Sequence, residues 1–90
     1  MRLTRSARKH GITPDDIRRV LAAPLRTVPQ ESERGPVELH IGITARRDLL
    51  EVVVAPGEEA GEVVVLHAMR LRPANYHHLA TTAAEPGVPA

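Results

Sequence analysis

From Val37 to Ile43 apolar and polar positions alternate without a break: Val37, Leu39, Ile41 and Ile43 against Glu38, His40 and Gly42. A period of two is the geometry of a half-buried strand, and such a strand must find partners for its backbone and its apolar face. Two further aliphatic runs supply them. Leu49 to Val54 sets Leu50, Val52 and Val54 on one face and Leu49, Glu51 and Val53 on the other. Val63 to Ala68 is apolar on both faces, which predicts the covered centre of the sheet. Thr44 to Arg47 and Ala55 to Gly61, the latter with Pro56-Gly57, are short connections with turn chemistry. Leu25 to Val28 predicts a short edge strand because Pro29 has no N–H to give a ladder, and Gln30 to Pro36 reads as a polar loop. The core has to be aliphatic, since 90 residues contain one aromatic side chain, Tyr76.

Helices are signalled on both sides of this meander. Thr13 suits an N-cap, Pro14 the first helical position, and Asp15 and Asp16 the positive end of the dipole. Ile12 and Ile17 fit a hydrophobic staple, Val20 and Leu21 continue the apolar face, and Pro24 forbids continuation beyond about Ala23. Arg2 to His10 suits a short helix ended by Gly11, without a capping signal. Pro73 opens a last helix through Leu79, in which Tyr76 is expected as a core aromatic and His77 and His78 at the surface. The fold expected is α+β: two N-terminal helices, a three- to four-stranded antiparallel sheet and a C-terminal helix, with the helices on one sheet face. Residues 1–80 read as a single domain and 81–90 as a flexible C-terminal tail.

Composition removes whole classes of function. Without cysteine there is neither a disulfide framework nor a thiolate metal site, which fits a reducing cytoplasm. No apolar run approaches the roughly 18–20 residues of a membrane span, and the basic start MRLTRSARKH lacks the apolar stretch of a secretory signal. A single aromatic excludes a base-stacking platform. Charge is segregated: Met1 to Arg34 carries a net +4, Gly35 to Leu66 a net −4, and the remainder +1. Such asymmetry suits a polyanion-facing end and a polycation-facing one, or simply solvates a small surface.

Five histidines remain as the groups able to take and give protons near neutral pH. Metal-free RNA cleavage needs a base for the 2′-hydroxyl, an acid for the leaving oxygen, and cations for the phosphorane. Arg8-Lys9-His10 at the interhelical turn is either a phosphate site or a solvated basic helix end. His67, with Arg70 and Arg72 beyond it, is either a proton-transfer centre with an arginine clamp or a strand-end histidine with surface arginines. Strict alternation sets His67, Met69 and Leu71 on one side and Arg70 and Arg72 on the other, unless the chain turns first. Arg46 and Arg47 add phosphate-binding charge on a turn. His40, alone on a strand's outer face, reads as structural; Glu51, also taken as outward, is either a base or the partner of an arginine. His77-His78 is no metal pair, because adjacent helical residues diverge by about 100°, and no H-E-x-x-H motif is present.

Lys9-His10-Gly11-Ile12 before a helix ending at Ala23-Pro24, then Ile41-Gly42, Leu50-Glu51-Val52-Val53, Val65-Leu66-His67-Ala68 and Arg72 to Tyr76, resembles the BrnT group of toxins. The likeness covers roughly residues 5–80. It departs from the group's pattern in three places. Met1 to Arg8 holds no aromatic, His67-Ala68-Met69 stands where S-A-R is usual, and Arg72-Pro73-Ala74-Asn75-Tyr76 keeps the tyrosine of E-R-x-x-Y without its acid. The resemblance implies a fold related to the RelE/ParE toxins and a cytoplasmic bacterial ribonuclease, the toxin of a type II toxin–antitoxin system, neutralised by a cognate DNA-binding antitoxin. The expected site joins His10, His67, Arg70 and Arg72 for catalysis with Arg8, Lys9, Arg46 and Arg47 for RNA phosphates. No cofactor, metal or membrane partner is expected, and the assembly is left open between a homodimer and a toxin–antitoxin heterotetramer. The alternative is a non-enzymatic protein-interaction module on the same fold.

Overall fold

The computed structural model describes residues 1–84. In chain order the elements are β1 (Arg2–Leu3), α1 (Arg5–Arg8), α2 (Pro14–Ala22), β2 (Arg26–Ser32), β3 (Gly35–Ile43), β4 (Leu49–Pro56) and β5 (Val63–Arg70). A 3-10 turn (Pro73–Asn75) and α3 (His77–Ala84) follow. One five-stranded sheet has the order β1-β5-β4-β3-β2; β1 runs parallel to β5 and the other pairs are antiparallel. The class is α+β as expected, with a mixed sheet rather than an antiparallel one of three or four strands.

Local chemistry accounts for α2. The Thr13 hydroxyl accepts the Asp16 N–H at 3.1 Å, Pro14 occupies the first turn beside Asp15 and Asp16, and Ile17 and Val20 are buried. The N-terminal segment differs from the short helix expected over Arg2 to His10, and α1 does have a cap. Arg2 and Leu3 pair with Val64 and Val65 as a two-residue strand, and Thr4 caps α1 by accepting the Ala7 N–H at 3.2 Å. Thr4 also donates its N–H to the Val65 carbonyl and its hydroxyl to the Leu66 carbonyl, which fastens α1 to β5.

β4, not β5, is the central strand. β5 is apolar on both faces because both are covered, although only two residues of β1 lie beyond it. The expected loop over 30–36 is mostly strand: β2 continues to Ser32 and the hairpin closes at Glu33-Arg34, with Gly35 at φ +103°. Pro29 is accommodated within β2 because that strand is an edge.

The helices cover both faces of the sheet. On one, Ala7 of α1 and Ile17 and Val20 of α2 pack with Leu50, Val52, Val54, Val65 and Ala68. On the other, Leu79 of α3 packs with Leu39, Ile41 and Leu71, beside Val28, Leu49 and Val53. Two faces need cover because β4 carries aliphatic side chains on both, Leu50, Val52 and Val54 on one and Leu49 and Val53 on the other, the latter joined by Leu39 and Ile41 of β3. Tyr76 is 55% exposed rather than in the core, since it lies where the 3-10 turn passes into α3. α3 itself runs to Ala84, four residues into the segment read as a tail; residues 85–90 lie outside the described residues. Among the described residues no helix is long and apolar enough to cross a membrane.

Candidate active site

A β-bulge aims the site. Val54 pairs with Val65 but Val53 pairs with His67, so Leu66 is an extra residue in β5. Were Leu66 paired in regular alternation, His67 would fall on the same face as Val65, in the core under α1 and α2. With the bulge, Val65 and His67 point to opposite faces although they are two residues apart. His67 therefore joins the face of Val53, Glu51 and Met69, diagonal to Glu51 across the β4–β5 pair.

Glu51 is completely buried, contrary to the outward position expected of it. Sequence alternation correctly separates it from Leu50 and Val52, but α3 and the preceding 3-10 turn cover the face it shares with Leu49 and Val53. A buried carboxylate requires partners, and here three residues, His67, Arg72 and Asn75, supply them from side chain and backbone. Oε2 accepts from His67 Nε2 at 2.8 Å and from Arg72 Nε at 2.8 Å, with the Arg72 terminal nitrogen at 2.6 Å. Oε1 accepts the Arg72 backbone N–H at 2.9 Å and Asn75 Nδ2 at 3.0 Å. Burial alone pushes this carboxyl up; the Arg72 guanidinium and backbone, then Asn75 and His67, outweigh it and hold the group down at about 2.

The protonation of His67 follows. An ionised carboxylate can only accept, so Nε2 carries a proton, and the ring in its neutral form presents Nδ1 as a lone pair. The His67 side chain is 25% exposed, and the exposed ring of His10 meets it edge-on with centroids 6.1 Å apart. His10 arrives there because α1 is fastened to the bulge and ends two residues before it.

His10, His67 and Arg72 are thus brought together as the sequence suggested, and Arg70 is not. Leu71 donates its N–H to the Leu49 carbonyl, after which the chain turns and carries Arg72 over Glu51. Arg70 stays on the other side and reaches Asp48 at 3.4 Å, with its side chain 73% exposed. Arg8 and Lys9 are exposed beside His10, at the end of α1. Arg46 and Arg47 are exposed on the β3–β4 turn, which the buried Thr44 hydroxyl closes by accepting the Arg46 and Asp48 N–H groups. His40 lies between Glu38 Oε1 at 3.1 Å and the Thr27 hydroxyl at 3.4 Å, in keeping with a structural role.

Asn75 was not singled out by sequence reasoning, and no motif marks it. Glu51 is named by it, as a base or the partner of an arginine, and Arg72 is that arginine. Its burial is missed, although a lone charge within Leu49-Leu50-Glu51-Val52-Val53-Val54 sits in a run apolar on both faces. Among the described residues no group of three His, Asp or Glu side chains is arranged to hold a metal ion. Comparison with protein-family models, curated proteins and solved structures finds no match to this chain.

Proposed function

We propose that this protein is an RNA endonuclease that works by acid–base chemistry, the cytoplasmic toxin of a type II toxin–antitoxin pair. The observation that carries the reading is the buried Glu51 holding His67 in a defined tautomer 6.1 Å from a second imidazole, His10. A carboxylate behind a histidine orients the ring and stabilises the imidazolium that forms when it takes a proton. In this reading His67 Nδ1 accepts the proton of a ribose 2′-hydroxyl. The 2′-oxygen then bonds to phosphorus as the P–O5′ bond breaks, and His10 gives its proton to the departing 5′-oxygen. The products are a 2′,3′-cyclic phosphate and a 5′-hydroxyl. Arg72 lends its outer N–H groups to the phosphorane, while Arg8 and Lys9 attract the backbone.

The resemblance to the BrnT group, carried by Lys9-His10-Gly11 and the segments after it, supports the same class of reaction. It also makes a DNA-binding antitoxin the expected partner. The test is induction of the full chain alone in bacterial cells, with growth and bulk RNA followed for wild type and for His67→Ala. Growth arrest with RNA loss in wild type, absent in His67→Ala, is the expected result. Wild type that neither arrests growth nor cleaves RNA, yet binds the product of a neighbouring gene, would replace the reading with a protein-interaction module.

A further inference from the structure

An open cavity of about 550 Å³ lies between the start of α1 and the tip of the β2–β3 hairpin. Its floor includes Leu66, the bulge residue adjoining His67; one wall holds Arg5 and Ser6, the other Ser32, Glu33 and Arg34. The two walls come from segments nearly thirty residues apart in sequence, and each brings one guanidinium. Neither the Arg5 nor the Arg34 side chain has a hydrogen-bond or ion-pair partner among the described residues, a state they share with Arg8, Arg19, Arg46 and Arg47, and they are the two arginines that line this cavity. The tip presenting Arg34 is held in shape: the Ser32 hydroxyl donates to the Gly35 carbonyl at 2.8 Å and accepts the Arg34 N–H at 3.1 Å.

We propose that this cavity is a subsite for a nucleotide next to the scissile one, with Arg5 and Arg34 clamping its phosphates. The inference rests on the ribonuclease reading, and Leu66, which lines the cavity and precedes His67 in β5, is what links the cavity to that site. Two guanidinium forks lining one cavity suit phosphate oxygens, which such groups bind bidentately. Glu33 on the same wall repels a bare anion but accepts from a ribose hydroxyl or an exocyclic amine, which a nucleotide carries and inorganic phosphate lacks. No aromatic residue lines the cavity, so a base has nothing to stack on and the subsite reads backbone rather than sequence. The occupant is a single-stranded RNA segment running from this cavity along β5 to His67.

The experiment compares wild type, Arg5→Ala/Arg34→Ala and Arg5→Lys/Arg34→Lys as full chains. Binding is measured with an octanucleotide made uncleavable by 2′-deoxy substitution, and cleavage with a ribo-octanucleotide and a dinucleotide. Binding by the double alanine variant should weaken about tenfold, and the slope of log affinity against log salt should shrink by about 1.4, the release expected from two single-strand phosphates. The lysine variant should keep the salt slope. The kcat/KM advantage of the octanucleotide over the dinucleotide should fall about tenfold in the alanine variant. An unchanged salt slope in that variant overturns the subsite. So does an acidic octapeptide that competes for Arg5 and Arg34 as well as the oligonucleotide does. If wild type binds the octanucleotide through both arginines but cleaves nothing, the subsite stands and the ribonuclease reading falls.

Discussion

His67 Nε2 and Glu51 Oε2 lie 2.8 Å apart, on neighbouring strands, only because one extra residue in β5 turns the histidine away from the core. The bulge, the carboxylate and the two segments that meet it form one device. Thr4 binds the bulge carbonyl and leads to His10; Arg72 and Asn75 close over Glu51 from the chain that follows β5. Were Leu66 paired in regular alternation, His67 would lie on the face of Val65 and Ala7, in an aliphatic core with no partner for its ring.

Glu51 ties the site to stability through pH. Its folded-state value is depressed, from 4.5 to about 2, so the stability it contributes is present above pH 4.5 and is lost as pH falls toward 2. The loss is at most on the order of 3 kcal/mol, from 1.36 kcal/mol per pH unit of displacement. Denaturation of wild type and Glu51→Gln between pH 7 and pH 2.5 measures it. The wild-type free energy should drop more steeply below pH 4.5 than that of the variant, and parallel curves would show that the carboxylate is not held by its partners.

Activity should depend on both imidazoles. Positioned acid–base groups contribute about 10²–10⁴-fold, so His10→Ala and His67→Ala should each lower RNA cleavage by that factor. The melting temperature should be unshifted in His10→Ala and lowered in His67→Ala, whose domain still folds, since the latter removes a donor from the buried Glu51. His77→Ala should change cleavage little, since its ring stacks on His78 and accompanies α3 rather than the site. Because one imidazole must be neutral and the other protonated, the wild-type pH–rate profile should be bell-shaped. The assignment of His10 fails if its replacement leaves the profile bell-shaped.

Packing under α2 gives a test independent of function. Gly42 on β3 faces Val20, and a methyl added there would come within 3.0 Å of Val20 Cγ1 and 3.3 Å of its Cα. Gly42→Ala should therefore cost about 1–3 kcal/mol by overpacking, as α2 is forced off the sheet. Ile17→Ala, which empties the same layer, should cost about 2–5 kcal/mol. Losses below about half a kcal/mol for both, measured by urea denaturation, would mean that α2 does not dock as described.

Much of this arrangement is written locally in the sequence. Thr13-Pro14-Asp15-Asp16 is a complete helix start, and the alternation of Val37 to Ile41 and Leu49 to Val54 correctly assigns the two faces of β3 and β4. What escapes is non-local. Nothing in Arg2-Leu3 announces a parallel pairing with residues more than sixty positions away, whose strength comes from the edge it covers. The parity of β5 changes at Leu66 within an unbroken aliphatic run, so counting by twos from Val63 misplaces His67 relative to Val65. The burial of Glu51 and the separation of Arg72 from Arg70 both depend on how the chain turns after Leu71, a tertiary event without a glycine to mark it. Those are also the features that make the site.

The central claim, that His67 and His10 cleave RNA by proton transfer to and from the 2′- and 5′-oxygens, is tested most directly by the ends the reaction leaves. Purified wild-type protein is incubated with a ribo-octanucleotide in the presence of EDTA, and the fragments are resolved by mass spectrometry. The expected result is a 5′-hydroxyl fragment paired with a 2′,3′-cyclic phosphate or its 3′-phosphate hydrolysis product, and no cleavage at a nucleotide carrying 2′-deoxyribose. Fragments bearing 5′-phosphates, or activity abolished by EDTA, would contradict it.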